Sequence, residues 1–127
     1  MKNLDASIAL FEKLLNSKCY KTEEVVSEQV RTAFFMVGET KIELLQTMTA
    51  SGPVGKYLDR KGEGVHHIAF AVNDINAEMK RLQQDGFTVL QDTPKPGADN
   101  KMVCFMHPRD TNSVLIELCM EKQPASE

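Results

Sequence analysis

The chain has no long apolar run, no strong excess of either charge, and too few cysteines for a disulfide framework. Each absence removes a class of protein. No stretch approaches the roughly 18 to 20 apolar residues that a membrane helix requires. A net charge of −3 leaves no basic footprint for nucleic acid. Cys19, Cys104 and Cys119 are odd in number and show no C-x-x-C spacing, which reads as reduced, mostly buried thiols in a reducing compartment. Met1 to Asp5 lead straight into an amphipathic pattern, without the apolar core and cleavage site of a signal peptide, so a cytoplasmic location is expected. Also missing are a phosphate-cradling Gly-rich loop, a G-x-S-x-G nucleophile turn and an H-E-x-x-H helix.

What is present is the composition of one ordinary globular domain: 127 residues, 42% hydrophobic and 26% charged. Leu4, Ile8, Phe11, Leu14 and Leu15 recur at helical spacing, with Asn3 or Asp5 as the cap. Strands are expected over 19–26, 30–37 and 41–46, the last two joined as a hairpin through Gly38-Glu39-Thr40. Val54, Tyr57 and Leu58 predict a short helix ending before Lys61-Gly62. A strand over 65–72 then feeds a second helix, capped by Asp74, with Ile75, Met79 and Leu82 inward and Gly86 at its end. A strand is expected to begin at 87–90, a rigid proline loop to follow over 93–97, and 101–107 with 114–120 to form a final hairpin.

An internal repeat organises these elements. Val72-Asn73-Asp74-Ile75-Asn76-Ala77 parallels Met1-Lys2-Asn3-Leu4-Asp5-Ala6, an offset of 71 residues. Ala33-Phe34-Phe35-Met36 before Ile42-Glu43-Leu44 parallels Val103-Cys104-Phe105-Met106 before Ile116-Glu117-Leu118, and Glu43 to Glu117 is an offset of 74. Each copy reads helix, strand, strand, strand, which indicates an α+β fold and not a parallel α/β sheet. By the same offset, the strand that opens the second copy has its counterpart before Met1, so the first module is expected to lack its opening strand. The expected organisation is a single domain over 1–121, with module one at 1–50, a linker at 51–63, module two at 64–121, and a flexible tail at 122–127.

Three residues stand out chemically. Strand alternation puts Leu115, Glu117 and Cys119 on one face and Val114, Ile116 and Leu118 on the other, so Glu117 is a carboxylate in an apolar strand. Such a group needs a cation or hydrogen bonds, and a metal supplies the former. The competing reading is a strand-end carboxylate that reaches solvent or a lysine. His67 shares its face with Val65, Ala69 and Ala71, whose small side chains leave room for a ligand, whereas His66 lies among Ile68, Phe70 and Val72. Against the ligand role stands the common case of a hydrogen-bonded structural histidine. Glu43 is the first copy's counterpart of Glu117 on a more polar face, where an ion-paired carboxylate competes with a metal ligand. His107, before Pro108, reads as a turn or capping residue. Mixed imidazole and carboxylate ligands suit Co, Mn, Zn, Ni or Fe.

With these residues in place, the chain resembles the vicinal oxygen chelate superfamily (glyoxalases, bleomycin resistance proteins, dioxygenases), and within it the methylmalonyl-CoA epimerases. The resemblance is carried by Val37–Leu45, Lys61–Phe70, Pro94–Ala98, Phe105-Met106-His107-Pro108 and Val114–Leu118, and spans about residues 1–120. It implies two paired βαβββ modules around a divalent metal, with His67, Glu117 and Glu43 as ligands and Glu117 and Glu43 as candidate proton-transfer bases. The family's first ligand, a histidine on the opening strand of module one, is expected to be missing with that strand. The implied activity is interconversion of (R)- and (S)-methylmalonyl-CoA through a stabilised enolate. A hemithioacetal-processing isomerase or a non-catalytic binding protein are the alternatives on the same fold. The implied partners are an acyl-CoA substrate and a second copy in a homodimer.

Overall fold

Helix α1, Leu4–Leu15, starts where Asn3 accepts a hydrogen bond from the Ala6 amide (3.0 Å) and ends where Asn16 turns left-handed. Leu4, Ile8, Phe11 and Leu15 pack on Ala33, Phe35, Ile42 and Leu44, whereas Leu14, counted on the same stripe from the sequence, faces outward. The computed structural model describes residues 1–123; of the expected tail, 124–127 lie outside the described residues.

The chain divides into two compact units, Met1–Val65 and the part from His66 onward. In the first, strands β1 (Lys21–Val25), β2 (Val30–Val37) and β3 (Thr40–Thr47) form an antiparallel sheet in that order. Strand β1 is shorter than expected. Tyr20 lies just before it, its amide donating to the Phe34 carbonyl, and Val26–Glu28 wind into a 3₁₀ turn that reverses the chain into β2. Helix α2, Pro53–Lys61, occupies the expected linker and packs on β3. Gly55 lets the helix close onto the connection that follows β3, since a Cβ there would collide with the Thr49 carbonyl oxygen.

The second unit runs β4 (His67–Ala71), α3 (Ile75–Gln84), β5 (Lys95–Gly97), β6 (Lys101–Met106) and β7 (Leu115–Glu121). Its sheet has the order β4-β7-β6-β5, with β4 parallel to β7 and the rest antiparallel. This is a complete βαβββ module, and the fold is α+β as expected. Asp74 caps α3 by accepting from the Ala77 amide at 3.0 Å. Ile75 and Met79 bury against Cys104, Met106 and Leu118, each apolar side chain contributing about 1.5–3 kcal/mol. One sheet face is thereby committed to α3.

Two expectations fail here. The strand awaited at 87–90 shrinks to a single bridge, Val89 with Met106. The proline loop contains instead the edge strand β5, because Pro94 precedes it and Pro96 sits on an edge where its missing N–H removes no interior ladder bond. Gly97 is required for that strand's approach: a Cβ would fall 2.9 Å from Val103 Cγ1.

Candidate functional site

The α3-covered face of the second sheet holds Cys104, Met106, Ile116 and Leu118, so alternation directs Val103, Phe105, Leu115, Glu117 and Cys119 to the other side. Strand β4 pairs in parallel with β7, Ala69 opposite Glu117 and His67 opposite Leu115, which sets His67, Ala69 and Ala71 on this same side. Ala69 is the neighbour of Glu117 across the β4–β7 pair. His67 Nε2 lies 3.8 Å from Glu117 Oε1, and the two side chains are only 13% and 16% exposed. The structure thus brings together the two residues, 50 positions apart, that the sequence singled out in this module.

That separation would permit an ion pair, but burial pulls the His67 pKa down to about 4, with His66 adding to the effect. At neutral pH the ring is uncharged, and Glu117 faces an imidazole, not an imidazolium. His66 Nδ1 and His67 Nδ1 are 3.0 Å apart, one donating to the other. When His67 donates, its Nε2 lone pair is presented toward Glu117, which is the ligand tautomer. His66, expected to point wholly away, is therefore the partner of the first ring. Its own pKa is lowered by burial.

Phe105 lies opposite Glu117 on β6, and its ring stands edge to face with His67 at 6.3 Å. Its backbone is held by Gln91, whose Oε1 accepts from the Phe105 amide, and by the Leu90 amide, which donates to the Phe105 carbonyl (both 2.8 Å). Lys95 Nζ lies 5.5 Å from the centre of that ring. Neither Phe105 nor Lys95 was singled out from the sequence as a site residue. The signal was present: the offset of 71 that relates the helix caps also relates Phe34 to Phe105. The apolar runs had instead aligned Phe35 with Phe105, a slip of one residue.

Glu43 belongs to the first unit. It is paired with Phe34 on β3, just as Glu117 is paired with Phe105. Ala33, Phe35, Ile42 and Leu44 are taken by α1, so Glu43 is on the face opposite that helix, together with Lys41, whose Nζ lies 5.0 Å from the Phe34 ring centre. Among the described residues, no three His, Cys, Asp or Glu side chains are gathered into one metal-holding group. The His67–Glu117 pair nonetheless suits a cation. Two ligand atoms about 2.1 Å from one tetrahedral ion stand about 3.4 Å apart, close to the observed 3.8 Å, and an imidazole nitrogen with a carboxylate oxygen is a donor set for first-row divalent metals. His107 has the capping role expected, its Nδ1 accepting from the Arg109 amide at 3.1 Å. None of the three cysteines is in a disulfide, and no helix among the described residues is long and apolar enough to cross a membrane.

Comparison with known proteins agrees with this architecture. The family model of the glyoxalase/bleomycin resistance protein/dioxygenase superfamily matches residues 1–105. The uncharacterized protein YqjC of Bacillus subtilis is 37% identical, covering 90% of this chain and 81% of its own. An ethylmalonyl-CoA/methylmalonyl-CoA epimerase of Cereibacter sphaeroides is 35% identical, over 91% of this chain and 88% of that one. Among solved structures, a Streptomyces coelicolor methylmalonyl-CoA epimerase variant in complex with 2-nitronate-propionyl-CoA superimposes with a TM-score of 0.92 at 31% identity, covering 96% of this chain and 91% of that chain. With its repeated α+β modules and the length of the matches, the chain belongs to the glyoxalase/bleomycin resistance protein/dioxygenase superfamily.

Proposed function

We propose that the protein is a metal-dependent epimerase that interconverts (R)- and (S)-methylmalonyl-CoA by proton transfer. The observation that carries the reading is the His67–Glu117 pair, largely enclosed on the sheet face that α3 leaves open. The similarity to methylmalonyl-CoA epimerases supplies the substrate class, an acyl-CoA that carries one free carboxylate beside the thioester.

The hydrogen to be exchanged lies between a thioester and a carboxylate, and it is too weakly acidic to leave unaided at neutral pH. A divalent cation held by His67, Glu117 and Glu43 would supply electrophilic stabilisation of the negative charge that deprotonation leaves on the substrate. Glu117 and Glu43 are the proposed proton carriers: one carboxylate oxygen accepts the proton as the C–H bond breaks, and a carboxylic acid returns a proton to the opposite face of the same carbon. Phe105 contributes an apolar wall that limits water around Glu117. The absence of a disulfide among the three cysteines fits the proposed cytoplasmic setting, and a homodimer is the proposed assembly.

Incubation of the metal-loaded protein with a single epimer in deuterated solvent tests the proposal. Formation of the other epimer with deuterium at C2 is the expected result. Turnover of a hemithioacetal alone would move the protein to glyoxalase-type isomerisation, and tight acyl-CoA binding without exchange would make it a binding protein.

A further inference from the structure

Strand β6 is supported along its outer edge in two different ways. Up to Val103 its neighbour is β5, where Lys95–Gly97 pair with Lys101–Val103. Beyond that point the segment before β5 takes over. The Thr88 carbonyl accepts from the His107 amide, Val89 bridges to Met106, and the Leu90 amide donates to the Phe105 carbonyl, both hydrogen bonds at 2.8 Å. The Phe105 amide then donates to a side chain: Gln91 Oε1 accepts it at 2.8 Å. A side-chain amide thereby stands in for a strand carbonyl between the bridge at Val89 and the start of β5. Because Phe105 turns both backbone groups outward, it forms with Glu117 a non-hydrogen-bonded pair, the type in which opposing side chains come closest.

We infer that Gln91 is a positioning residue of the proposed metal site: it fixes Phe105, and the Phe105 ring holds the His67 imidazole where Nε2 is offered beside Glu117. The inference rests on the proposed epimerase reading, in which that pair holds the cation. The Phe105 ring meets His67 edge to face, with centres 6.3 Å apart and planes inclined at 78°. The same imidazole meets His66 through Nδ1 at 3.0 Å. A ring contact and a nitrogen contact together restrict rotation of the His67 ring, and that rotation decides whether Nε2 lies near Glu117 Oε1, 3.8 Å away. Phe105 has no ligand atom and Gln91 engages the outer edge of its strand, so both act through His67. What position 91 requires is an acceptor of the right reach. Glutamate supplies one, whereas leucine fills similar space without any.

Calorimetric titration with Co²⁺ and the visible spectrum of the bound ion test this on the wild type, Gln91→Leu, Gln91→Glu, Phe105→Leu and Phe105→Tyr, with folding checked by circular dichroism. Gln91→Leu should bind Co²⁺ about 3- to 10-fold more weakly, the factor that corresponds to one net hydrogen bond, and should shift the ligand-field bands. Gln91→Glu should restore both affinity and spectrum. Phe105→Leu should repeat the loss, and Phe105→Tyr, which keeps the ring, should not. Wild-type affinity and spectrum in folded Gln91→Leu or folded Phe105→Leu would overturn the inference, even if urea denaturation showed lower stability, because the role would then be structural only. Failure of Gln91→Glu to restore binding would overturn it too. A wild-type protein that takes up no Co²⁺ removes the metal site and this inference together, whereas wild-type uptake with unchanged variants removes the inference alone.

Discussion

Replacing Glu117 by glutamine removes one negative charge while keeping the shape of the side chain, and the structure predicts opposite outcomes for stability and for metal binding. The carboxylate lies 3.8 Å from His67 Nε2, yet that imidazole is neutral at pH 7 because burial holds its pKa near 4. The change therefore breaks no ion pair between them, and it lightens the cost of holding a charge on a largely enclosed face. Metal-free Glu117→Gln should unfold within about 1 kcal/mol of the wild type. Metal affinity should behave differently. Apparent binding energies of structural zinc sites are about 10–16 kcal/mol over four ligands, so one ligand represents about 3 kcal/mol, or about 100-fold in affinity. Calorimetric titration with Co²⁺ or Zn²⁺, beside urea denaturation of the metal-free protein, measures both quantities. Metal affinity within threefold of the wild type would remove Glu117 from the site. A metal-free variant destabilised by more than about 3 kcal/mol would show instead that the carboxylate is a structural group whose loss leaves a buried partner unsatisfied.

Three further outcomes follow from particular contacts. His66→Phe keeps an aromatic ring but removes the nitrogen that meets His67 Nδ1, so metal affinity should fall about 10- to 100-fold with folding intact; calorimetry on the same metals checks it. Asp74→Ala removes the side chain that accepts from the Ala77 amide and should cost about 1 kcal/mol in urea denaturation, whereas Asp74→Asn should cost much less. Cys104 is fully buried, and burial pushes its thiol up to about 11, so iodoacetamide at pH 8 should label it only in denaturant, after Cys19 and Cys119; mass spectrometry reads the order.

Local signals in the sequence were sufficient for most elements. The helices were legible because a cap and a 3.6-residue apolar period are properties of neighbouring residues: Asn3 and Asp74 do cap α1 and α3, and Ile75 and Met79 do face the core. Strand β2 and the β2–β3 turn fell where β-branched and aromatic residues met Gly38. The errors lie where a neighbour in space overrides local preference. Phe87–Leu90 has strand composition, but only Val89 meets Met106 in a bridge, and the proline-flanked Lys95–Gly97 becomes a strand because β6 offers it an edge.

By itself, the sequence determined the repeated α+β plan, the two capped helices, and the sides of their strands on which His67 and Glu117 must lie, because alternation and helical period are set by backbone geometry alone. Only the tertiary structure decided that β4 runs beside β7. That parallel pairing puts Ala69 against Glu117 and carries His67 to within 3.8 Å of it. It likewise decided the register that faces Phe105 to Glu117 and lays Lys95 over the ring, since the hydrogen bonds that fix register join residues far apart in the chain.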